Sequence, residues 1–268
     1  MTTQFANAPI VELIAEVRWH TSNSQAWDDV APGTPFAFAA PTNEAVEQFL
    51  SRFVRECNAL GYRNSERLIP QNVPYPPGQP VVRLRSDDYP GILVQAGWGT
   101  ATVNALPPYK SWNEFAPRLN EALGALVAAR GDESAPFYGA SVRYINAFGP
   151  EYMEGTTPGA FARDVLGFDV SLPAAIAEHR DGTEAQQFSL QLAFPTTNGQ
   201  RARIVLAEGL ANNQQALIFD IVLGIADPVE PTAAAVFAVL DGAHTVIHQM
   251  FEGTTQGVRD IMRPIEGE

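Results

Sequence analysis

Reactive side chains are scarce in this chain. Its 268 residues include one cysteine, Cys57, one lysine, Lys110, and four histidines. A lone cysteine excludes an intramolecular disulfide framework and any zinc site built on thiolates. Cys57 lies near the end of the helical stretch SRFVRECNALGY, the setting of a buried and inert thiol. Lys110 sits in a Pro-rich turn with no Gly-rich loop before it, which excludes P-loop chemistry and leaves Schiff-base chemistry one candidate. No apolar run approaches the ~20 residues needed to span a bilayer. The N-terminal stretch has no positive region, and Glu12 and Glu16 break its apolar residues, so the expected location is the cytoplasm. Positive charge is also short. Against 30 Asp and Glu stand 17 Lys and Arg, a net charge of -13, which argues against non-specific nucleic-acid binding.

What the chain does have is core. A hydrophobic fraction of 46% with 10% aromatic residues is that of a folded globular protein, long enough for one large domain or two small ones. Val11 to Trp19 alternates as a strand. Thr42 or Asn43 caps a helix from Glu44 to about Leu60, with Val46, Phe49, Leu50, Phe53, Val54 and Cys57 on one face and Gly61 at its end. A short strand is expected near Tyr62–Ile69, then a Pro-rich extended loop from Pro70 to Pro80. Strands Val81–Arg85, Ile92–Ala96 and Ala101–Ala105 follow. A helix from Ser111 to Ala129, with Glu114 at the capping-box position, closes the first half.

The second half reads as a strand at Phe137–Phe148, a short helix at Pro158–Leu166, and strands at Gln186–Phe194, Arg201–Ala207 and Ala216–Gly224. Asn198-Gly199 and Asn212-Asn213 mark the turns between the last three. A helical stripe of Val236, Phe237, Leu240, His244, Ile247 and Phe251 then runs from Pro231 to about Met262. The expected class is α+β, antiparallel sheet or sheets with long helices on one face. The order suggests two repeated β-α-β-β-β-α halves, residues 1–130 and 137–268, joined by a linker at 131–136. One continuous curved sheet gripping the last helix, with a ligand cavity, is the alternative.

Few groupings could carry chemistry. Asp241, His244, His248 and Glu252 follow one another at helical spacing, which makes His244 and His248 weak metal candidates. The string HTVIH, however, has Thr245 where a zincin helix needs its glutamate, and His244 shares the stripe with Leu240 and Ile247. In FYGASVRYINAF, Ser141, Arg143 and Ile145 share one face while Tyr144 and Asn146 share the other. Arg143 could hold an anion or pair with a structural carboxylate. Ser141 stands in GASVR, not in a G-x-S-x-G elbow. GWGTAT reads as a hairpin turn, and Tyr109, Trp112 and Phe115 surround a helix start. No catalytic residue, metal or cofactor is assigned.

The order of APIVELIAEVRW, ILVQAGWGTATVN, PPYKSWNEF, VRYINAF and AHTVIHQMFEGTTQGVRDIM resembles a sporadically distributed, functionally uncharacterised prokaryotic protein family. The resemblance covers nearly the whole chain. It singles out Gln95, Asn104, Tyr109 and Trp112, then Arg143, Asn146 and His244, as the tentative binding residues; Pro9, Glu12 and Phe251 also match. The family's patchy occurrence implies genes exchanged in microbial conflict. The expectation is a non-enzymatic interaction protein, defence- or toxin-immunity-associated, engaging a protein partner and open to homodimerisation. An enzyme or small-molecule binder with a pocket between sheet and helices is the alternative.

Overall fold

The computed structural model describes residues 3–19, 43–71, 73–131, 135–179, 189–225 and 227–265. The chain opens with β1 (Gln4–Phe5), β2 (Ile10–Trp19) and α1 (Asn43–Ala59). Four strands follow: β3 (Asn64–Arg67), β4 (Pro80–Arg85), β5 (Ile92–Gly97) and β6 (Thr100–Ala105), then α2 (Trp112–Arg130). The second half begins with β7 (Phe137–Phe148) and three short helices, α3 (Pro150–Met153), α4 (Pro158–Asp164) and α5 (Ala174–Ala177). It continues with β8 (Ser189–Pro195), β9 (Arg201–Ala211), β10 (Gln214–Ile225) and α6 (Ala233–Thr254), and ends in α7 (Arg259–Met262) and β11 (Pro264–Ile265).

Nine strands form one antiparallel sheet in the order β3-β4-β5-β6-β2-β7-β10-β9-β8. These nine strands are one continuous sheet. Its centre is the β2–β7 pair, in register from Glu12 opposite Ile145 to Arg18 opposite Gly139 with a register shift at each end, so both halves of the chain share a sheet and a core. The halves differ in content: four strands follow the helix in the first, and three short helices precede three strands in the second.

Alternation explains the layering. Leu13, Ala15, Val17 and Trp19 are buried on one face of β2, and α1 and α2 cover that face through Phe53, Leu119, Leu123 and Leu126. Val46, Leu50, Phe53 and Cys57 of α1 recur at helical spacing and are all buried. Burying each such side chain contributes about 2 kcal/mol. Burial also pushes the Cys57 thiol up to about 12, which makes it the inert core residue its sequence setting suggested. Among the described residues no helix is long and apolar enough to cross a membrane.

Element limits shift where side chains compete with periodicity. Pro231 does not open α6. Thr232 is the cap, its hydroxyl accepting from the Ala235 amide at 3.2 Å, and Pro231 stands one residue outside. Nor does the last helix reach Met262 unbroken. Thr254 and Thr255 donate to the carbonyls of Met250 and Phe251, and the chain tightens into a 3-10 turn at Gln256–Val258 before α7. Arg263, at φ 55°, then turns the end of the chain back so that β11 pairs with β1, a contact no local pattern announced.

The Pro-rich loop lies against the body. Tyr75 is buried and hydrogen-bonds Glu47 of α1, which also holds Arg67. The loop closes on the β5–β6 turn: Gly78 N–H donates to Trp98 O at 2.9 Å, and a Cβ on Gly97 would sit 1.8 Å from Gln79 O. Of the expected features, Thr42, Gln186 and the middle of the linker at 132–134 lie outside the described residues.

Candidate functional site

The seven residues singled out from sequence divide between the two faces of the sheet. Gln95, Asn104 and Arg143 point away from the helices. Register fixes this, because Gln95 lies opposite Arg83 and Thr102, Thr102 opposite Glu16, and Glu16 opposite Ser141, all on one face. Asn104 and Arg143 flank Ile14 in the next row of that face.

These polar groups satisfy one another. Arg83 Nε donates to Gln95 Oε1 at 3.1 Å, and the Gln95 amide donates to Thr102 Oγ1 and Asn104 Oδ1, each at 3.3 Å. Asn104 Nδ2 donates to Glu12 at 2.6 Å. Arg143 grips Asp220 with two bonds, Nε to Oδ1 at 2.8 Å and Nη2 to Oδ2 at 2.6 Å. That bidentate bond raises the Arg143 pKa, with Glu12 and Glu16 adding to it. Of its two sequence readings, Arg143 takes the structural one, a paired carboxylate.

Tyr109, Trp112, Asn146 and His244 gather on the opposite, helix-covered side, where they line a cavity of about 70 Å³ between α6, the β6–α2 connection, β7 and the N-terminal segment. Asn146 and Tyr144 reach it because β7 turns alternate residues to that face. Trp112 reaches it because Ser111, capping α2 through the Glu114 amide at 3.3 Å, makes Trp112 the first helical residue. His244 comes from the middle of the buried stripe of α6.

His244 is the centre of the cluster. Trp112 stacks on its ring with centroids 4.1 Å apart and planes 5° from parallel. The indole N–H of Trp112 donates to Asp241, one turn before His244, at 2.8 Å, locking the stack. The Tyr144 hydroxyl lies 2.7 Å from His244 Nδ1, and Tyr109 adds its hydroxyl 3.5 Å from that of Tyr144. His244 Nε2 is buried and makes no hydrogen bond among the described residues. Burial pushes the His244 pKa down to about 4, with His248 adding to the effect and Asp241 opposing it, so the ring is neutral near pH 7. Burial also drives the Tyr144 pKa well above, and the Tyr109 pKa up to about 12, so both phenols keep their protons.

His248 faces the rim. Its Nε2 accepts the Thr3 amide at 3.1 Å and lies 3.4 Å from Glu252. Phe5 packs edge-on against Phe251, ring centroids 6.3 Å apart. Asp241, His244, His248 and Glu252 thus have separate partners, and no group of three His, Cys, Asp or Glu among the described residues is placed to hold a metal. Sequence reasoning did not single out Tyr144 or the Thr3–Phe5 segment. Tyr144 was within reach, since strand alternation already put it beside Asn146; the segment was not, because only the pairing of the chain ends brings it there.

No protein-family model matches this chain, and no curated protein matches it.

Proposed function

We propose that this chain is a non-enzymatic binding protein that engages a macromolecular partner, with the aromatic cavity around His244 receiving one side chain of that partner. The observation that carries the reading is the state of His244: neutral, stacked on Trp112, hydrogen-bonded through one nitrogen and, among the described residues, unpartnered at the other. Such a ring is a poor general base near pH 7, where catalysis favours a group titrating close to the working pH. It is a well-made recognition group, rigid and with one hydrogen bond in reserve. The net charge of -13 complements a basic partner surface. The resemblance to the sporadic prokaryotic family adds a role in microbial conflict, as an immunity or defence-associated component.

The test is capture from extract of the native host by the immobilised chain, beside an Ala8→Trp variant that fills the cavity from its rim. Retention of one specific protein by the wild type, lost in Ala8→Trp, supports the proposal. A chain that stays alone at micromolar concentration, or that turns over a small substrate, removes it.

A further inference from the structure

The chemistry of the group that enters the cavity can be read from its walls, given the binding reading above. The geometry points to an uncharged hydrogen-bond acceptor, a carbonyl or carboxamide on a short apolar stem, bonded to His244 Nε2–H.

Three observations converge. A phenol is a stronger hydrogen-bond donor than a neutral imidazole, so the 2.7 Å contact is best made by Tyr144 donating to Nδ1. The ring proton is then on Nε2, as a donor. That donor is buried on a residue only 4% exposed and makes no hydrogen bond among the described residues. A buried donor without an acceptor is destabilising, so an acceptor arriving there recovers that loss.

The walls then select the charge of the arriving group. Among the described residues, no Asp or Glu lines this cavity. A cation would find no counter-charge. An anion would be desolvated against Ile10, Ile247 and Phe251, beside a ring that burial keeps neutral. Lys110 stands at the rim, exposed and within 3.8 Å of Glu114, so its charge faces a carboxylate outside the cavity. Asn146 lines the cavity as a second polar group, its amide nitrogen donating to Phe219 O at 3.2 Å and its oxygen remaining as an acceptor for a carboxamide N–H.

Because Nε2 is buried, the acceptor reaches it only as the lining of the cavity rearranges locally.

The probes are three compounds of one shape: isobutyramide, isobutyrate and isobutylammonium. Binding is read from the ¹⁵N resonances of the His244 ring and from Trp112 fluorescence. The expected result is a protonated Nε2 in the free protein, shifted by isobutyramide, with the amide bound roughly tenfold more tightly than either ion. An unprotonated Nε2, a preference for isobutyrate or isobutylammonium, or no response to the amide overturns the inference. Its failure is separable from that of the binding reading. If the amide fails while Ala8→Trp still abolishes partner capture, only the chemical assignment falls; if Ala8→Trp leaves capture intact, the cavity is not the binding site.

Discussion

The two faces of the sheet use the same kinds of side chain to opposite ends. On the face turned away from the helices, amides, hydroxyls and ions run from Arg83 through Gln95 and Asn104 to Glu12, while Arg143 is closed by Asp220. On the helix-covered face the chain Tyr109, Tyr144, His244 ends at a nitrogen without a partner among the described residues. A buried polar group that is satisfied contributes to the fold; one held rigid and unsatisfied retains binding capacity. The difference separates a ladder of paired polar groups, which serves the fold, from a buried ring nitrogen on the α6 side that has no partner among the described residues.

That contrast can be broken by mutation. Trp112→Ala removes the ring stacked on His244 and the bond to Asp241, and should cost about 3 kcal/mol in urea unfolding together with all amide binding. Asp220→Ala leaves Arg143 without its carboxylate, with an expected loss of about 2 kcal/mol and no effect on the cavity. Equal loss of amide binding in both variants would erase the distinction between the faces.

Acid sharpens the comparison. An imidazole at its ordinary 6.5 in the unfolded chain takes up a proton before His244, whose folded value is about 4. The stability this group contributes is complete above pH 6.5 and falls as pH drops toward 4, by about 1.4 kcal/mol per pH unit inside that window. Burial lowers the pKa of His248 in the same direction, which steepens the fall. His244→Phe should flatten the slope by roughly its own share, as measured by unfolding at several pH values. An unchanged slope would show that His244 is not held neutral by burial. Tyr144→Phe is the smallest change. Losing the bond to His244 Nδ1 should cost about 1 kcal/mol, and the ring proton should redistribute between the nitrogens in the ¹⁵N spectrum.

Most of the fold could be read from the sequence because its elements carry strong local patterns. The alternation of β2 and β7 and the stripe of α1 place those elements to within a residue or so. Asn212-Asn213, both at positive φ, makes the tight two-residue turn, while Asn198-Gly199 sits in the longer loop from Thr196 to Gln200. The short α3 and α5 and the β1–β11 pair were not legible, since a turn of helix or two bridged residues leaves no period to read. Of the site, Trp112, Asn146 and His244 carried a signal through their order along the chain. That Arg143 turns away from Asn146 was already given by the alternation of β7; that Gln95 shares the face of Arg143 follows from strand register, which local patterning does not set.

The most direct test of the central claim maps where isobutyramide perturbs the ¹H–¹⁵N spectrum of the intact chain. The account predicts shifts confined to Tyr109, Trp112, Tyr144, Asn146 and His244 and the Thr3–Phe5 segment, with Gln95, Asn104 and Arg143 silent. Shifts centred on that second set would contradict it and move the binding site to the face turned away from the helices.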